Sequence, residues 1–104
     1  MMVLYLFKNG ELELTLNGII DDKKMIFDNI IYDKENMILI REDASFKYII
    51  DFNNNKASIE LKEYNQNLSL LVQTLEKELT SNTHKIKYII ESEDNAINEL
   101  VIIF

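Results

Sequence analysis

Residues 38 to 52 read ILIREDASFKYIIDF: an apolar run, one arginine, a polar turn and a second apolar run. Branched and aromatic side chains fit a pleated surface, and Asp and Ser favour reversals, so Met37 to Glu42 and Phe46 to Phe52 form a hairpin. A turn of two residues (Asp43-Ala44) or of four (Glu42 to Ser45) pairs Arg41 with Phe46, Leu39 with Tyr48 and Met37 with Ile50, because both lengths keep one register. Arg41 then shares a face with Leu39, Phe46 and Tyr48. A guanidinium on such a face has two fates. It snorkels to solvent over its apolar stem, or it stands at a barrel mouth and needs carboxylates, carbonyls or an anionic ligand to offset its desolvation.

The same rhythm runs outward from this hairpin. Val3 to Phe7 is a strand, ended by Asn9-Gly10, a strong short hairpin signal. Glu11 to Leu16 alternates, which places Leu12, Leu14 and Leu16 on one face. Asn17-Gly18 and Asp21-Asp22 mark further reversals, and Lys24 to Asp33 is the next strand. Beyond Asn53-Asn54-Asn55, residues Lys56 to Tyr64 alternate with Ala57, Ile59 and Leu61 inward. Leu68 to Leu79 fits both periods: Leu68, Leu71, Val72, Leu75 and Leu79 lie at helical spacing, while Leu68, Leu70, Val72 and Thr74 alternate. Its neighbours are all strands, and that context favours strand. Lys85 to Glu91 and Ile97 to Phe104 complete the series around the polar stretch 92–95.

Turns every eight to twelve residues or so mark an all-β chain with hairpin connections. The expected fold is a single domain over residues 1–104, an antiparallel up-and-down meander closing into a barrel of about eight strands. Val3 to Phe7 and Leu100 to Phe104 are the most continuously apolar strands and would invite aggregation as free edges. Pairing them with each other closes the barrel; pairing them across a two-fold axis gives a homodimer.

At 104 residues the chain has room for one core. Its net charge of −7 disfavours nucleic acid and anionic membranes as partners. The absence of cysteine removes disulfides and thiolate chemistry. The apolar opening lacks a basic flank and a cleavage site, and no run reaches the length of a membrane span, so a cytoplasmic location is expected. Abundant Ile, Asn and Lys with scarce Gly match the codon bias of an AT-rich genome.

Ile38-Leu39-Ile40-Arg41 followed by Tyr48-Ile49-Ile50-Asp51-Phe52 resembles the strand-arginine-turn-strand segment of the YwiB-like family of small bacterial proteins. Leu70-Leu71-Val72-Gln73-Thr74 with Ile86-Lys87-Tyr88 resembles that family's paired late strands, and Gly18 matches a glycine of an early strand. The resemblance spans about residues 11 to 104 and implies a calycin-type, lipocalin-like barrel. The family has no established function, so an activity is not implied.

Ligand pockets join an apolar wall to a few polar groups. Arg41, Leu39, Phe46, Tyr48 and Tyr88 are therefore the candidate ligand-binding residues, with Tyr64 a further hydroxyl. His84, the only histidine, lies in a polar turn with no partner at a telling spacing and reads as a solvated loop residue. Asp51 to Asn55 begins like a calcium loop, but Lys56 stands where the sharp-turn glycine belongs and Lys62 where the bidentate glutamate belongs. Asp21-Asp22, Glu42-Asp43 and the acidic stretch 91–94 read as solvated turn carboxylates. No metal, cofactor or catalytic group emerges, and an enzyme is the least supported class. The sequence thus frames a barrel binding a small anionic or amphipathic ligand at its mouth. The alternative is a solid-cored interaction protein acting as a homodimer.

Overall fold

The computed structural model describes residues 2–91 and 95–104. Ten strands follow one another: β1 Met2–Lys8, β2 Glu11–Asp21, β3 Lys24–Phe27, β4 Ile30–Asp33, β5 Ile38–Glu42, β6 Phe46–Asp51, β7 Lys56–Leu61, β8 Gln66–Leu79, β9 Thr83–Ile90 and β10 Asn98–Ile103. One turn of 3-10 helix, Lys62–Tyr64, links β7 to β8. Each strand pairs antiparallel with the next, and β1 pairs with β10 from Val3↔Ile103 to Lys8↔Asn98, closing a barrel. The apolar terminal strands therefore satisfy each other's edges within one chain. No helix among the described residues is long and apolar enough to cross a membrane.

The strand count is ten and not about eight. Lys24 to Asp33 is two strands, because Asp28 takes a left-handed conformation (φ 53°) and reverses the chain between Phe27 and Ile30. Asn17-Gly18 is not a reversal: β2 runs on through it to Asp21, and the turn falls at Asp22-Lys23, both left-handed. Gly18 serves packing instead. It pairs with Met2, and a Cβ there would collide with the Phe27 ring.

Two long strands shape the molecule. β2 pairs with β1 from Glu11 to Gly18 and with β3 from Ile19 to Asp21. β8 pairs with β7 from Gln66 to Leu71 and with β9 from Val72 to Leu79. Each carries a bulge, an extra residue that bends a strand and resets its alternation. On β2 the extra residue is Glu13, so Leu14 and Leu16 face inward while Leu12, expected beside them, is 54% exposed. On β8 it is Leu75, which moves Leu79 onto the face of Leu70, Val72 and Thr74. That phase change explains the helical spacing of leucines along a strand.

Loops of four residues ending in a left-handed residue recur at Met37, Asn55 and Asn65. Asparagine tolerates that conformation at two of the three. The interior is filled between the ends: Leu4, Phe27, Ile30, Tyr32, Phe52, Ile86, Leu100 and Ile102 are fully buried. Each such side chain contributes roughly 1.5–3 kcal/mol by leaving water.

Candidate functional site

The β5–β6 hairpin forms as expected, with its pairing moved by two residues. Arg41 faces Tyr48 and Leu39 faces Ile50, with Glu42 opposite Lys47. Asp43 sets this register: its Oδ1 accepts from the backbone N–H of Ser45 (2.7 Å) and Phe46 (3.0 Å), and its own N–H donates to the Phe46 carbonyl. The loop is thus residues 43–46. A shift of two leaves every side chain on its face, so Arg41, Leu39 and Tyr48 still share the inner one.

These residues line a cavity of about 170 Å³ at one end of the barrel. Leu6, Leu39, Ile50 and Ile90 supply an apolar wall, while Arg41, Tyr48, Tyr88 and Asn98 bring polar groups to it. Phe7, Lys8 and Glu13 complete the lining. Of the candidate residues, Arg41, Leu39, Tyr48 and Tyr88 meet here. Phe46 stands outside the lining, its ring edge-on to Tyr48 with centroids 6.5 Å apart. Tyr64 is 72% exposed on the helical turn after β7. Sequence reasoning missed Lys8, Glu13 and Asn98. The β2 bulge, which places Glu13 out of alternation, has no local sequence signal.

Arg41 is the unusual member. Its Nε is buried and has no hydrogen-bond partner among the described residues. Two carboxylates next to it in sequence, those of Glu42 and Asp43, are engaged elsewhere. Glu42 is ion-paired with Lys62 at 2.8 Å, and that hydrogen bond and charge hold its carboxyl below the usual range. Asp43 is held low by its two backbone hydrogen bonds. Lys62 also donates to the Asp43 carbonyl at 2.8 Å, which ties the β5–β6 loop to the helical turn.

The Asp51 loop is closed to calcium for a further reason. Asp51 Oδ1 accepts from the N–H groups of Asn53 and Asn54, and Oδ2 accepts from the Asn54 amide. No metal-holding cluster of acidic or histidine side chains occurs among the described residues. A larger, shallower depression of about 430 Å³ on the outer face of β6–β8 includes Asp51, Ser58 and Ser69. With the Asp51 carboxylate occupied, it lacks the convergent groups of the Arg41 end. Of the acidic stretch 91–94, residues 92–94 lie outside the described residues.

His84 is a correction. It is only 5% exposed, because β9 begins at Thr83 and alternation turns His84 inward. Its Nδ1 lies 2.8 Å from the hydroxyl of fully buried Tyr32, and its ring meets those of Tyr32 and Phe104 edge-on. Burial, then the nearby Lys34 charge, lowers its pKa, while burial raises that of Tyr32 far above the usual phenol value. The pair is neutral at pH 7.

No protein-family model matches the chain, and neither a curated protein nor a solved structure does.

Proposed function

We propose that this barrel binds a compact anionic ligand, such as a small carboxylate, at the Arg41 end. The observation that carries the reading is Arg41 in the lining of a cavity with an apolar wall, its buried Nε without a partner among the described residues. A guanidinium offers a carboxylate two parallel donors, and a charge-assisted pair would offset the desolvation that Arg41 now bears. The volume, about 170 Å³, is below the roughly 300–1,000 Å³ of sites for drug-sized ligands, which favours a small molecule. Kinship with YwiB-like, calycin-type barrels belongs to the same proposal; it is supported by the closed antiparallel meander and by the strand-arginine-turn-strand segment, with ten strands as a departure. A cytoplasmic setting is also proposed, in keeping with a cysteine-free chain.

Calorimetric titration of small carboxylates tests the site. Binding that falls at least about tenfold in Arg41→Met supports it, since losing a charge-assisted hydrogen bond costs roughly 1.5–3 kcal/mol. Equal affinity in the folded variant refutes it. The homodimer reading gains less support, because closure uses the edges of β1 and β10 through which it would act.

A further inference from the structure

The end of the barrel opposite Arg41 holds a wide, open concavity of about 490 Å³, with His84 in its lining. The packed core separates the two ends, so this site stands or falls independently of the Arg41 reading. Tyr32 is protonated and, among the described residues, its hydroxyl meets only His84 Nδ1. The buried phenol proton has no other acceptor among the described residues, so it is satisfied in the tautomer in which Nδ1 accepts and the imidazole proton lies on Nε2. No described residue accepts a hydrogen bond from that nitrogen.

Three kinds of group share this lining with His84. Ile20 and Met25, paired across β2 and β3, form an apolar wall, and Ile20 is 65% exposed although it lies on the inner face of its strand. Lys23 stands on the left-handed turn beside them. Lys34 is held in place: its Nζ donates to the Ser81 carbonyl at 2.9 Å and lies 4.0 Å from the Phe104 ring centroid. An ammonium has three donors, so Lys34 keeps others for a ligand. Glu35 adds one negative charge to the lining, which disfavours a dianion.

We infer that this end binds a monovalent amphipathic carboxylate, its head between His84 Nε2 and the two lysines and its short alkyl body on Ile20 and Met25.

The single histidine makes the test direct, because the imidazole 1H–15N signals report His84 alone. Hexanoate is titrated into the full chain, with inorganic phosphate as comparator and amide spectra recording the fold. The expected result is a saturable shift of the His84 signals below about 10 mM hexanoate, weakened roughly three- to fivefold by Lys23→Gln and also by Ile20→Ser. Both substitutions fall at exposed positions, and the amide spectra check that each variant keeps the fold. Absence of a saturable shift in the folded protein overturns the inference. So does phosphate binding as tightly as hexanoate, or hexanoate binding unaltered in both variants.

Discussion

Two residues carry most of the physical tension in this molecule. Gly18 has the second Asn-Gly motif of the sequence around it yet turns nothing; its missing side chain makes room for Phe27, which is fully buried and cannot yield. Gly18→Ala is expected to lower unfolding free energy by about 1–3 kcal/mol, the usual cost of overpacking, as read from urea denaturation midpoints at constant slope. Arg41 is the converse case, a residue whose removal relieves a cost. Its Nε lacks a partner among the described residues, so Arg41→Met is expected to leave stability unchanged or raise it by up to about 1 kcal/mol. A fall of more than about 1 kcal/mol would mean that Arg41 is a structural member of the rim. The inward face of Arg41 was legible from the hairpin, since a register error of two residues preserves facing. The hydrogen bonds of Asp43 that fix the actual register were not, because Asp suits several turn lengths equally.

Among elements, the Tyr32–His84 hydrogen bond joins β4 to β9 across the barrel interior. Tyr32→Phe leaves a buried nitrogen without its partner and is expected to cost about 1–3 kcal/mol in thermal or urea unfolding. The pair also has a pH signature. The folded His84 pKa lies below the ordinary 6.5, so between those two values the unfolded chain binds the extra proton. Stability is complete above about pH 6.5 and declines as pH falls through that window, by at most about 1.4 kcal/mol per unit. Asp33, Glu42, Asp43 and Asp51 have lowered pKa values too, but their contribution is lost only below the ordinary 3.8 for the aspartates and 4.5 for Glu42. Urea midpoints from pH 7.5 to 5 should therefore drop in the native chain and stay flat in a folded His84→Gln variant. The sequence hid this pair because the strand begins one residue before His84, among the Thr and Asn residues that mark a turn. Periodicity likewise identified β8 only in halves: a bulge at Leu75 shifts the phase midway, and no residue type announces it.

At the scale of the molecule, hairpin cadence and apolar terminal strands were enough to read a closed antiparallel barrel. The count was not, since the Asp28-Asn29 reversal lies inside an otherwise continuous apolar run. Closure depends on β10 lying between β1 and β9. Truncation before Asn98 should expose two long apolar edges and abolish the cooperative urea transition; a retained sharp transition would show that the remaining sheet holds without closure. The functional account rests on one guanidinium, and the chain has a single arginine, so its Nε–Hε signal in a 1H–15N spectrum is assigned without ambiguity. That signal, followed through titration with a small carboxylate such as acetate, tests the central claim most directly. The account predicts a saturable downfield shift of Hε with slower exchange against water as Nε gains a partner. A signal that stays unmoved to about 10 mM carboxylate in the folded protein would contradict it.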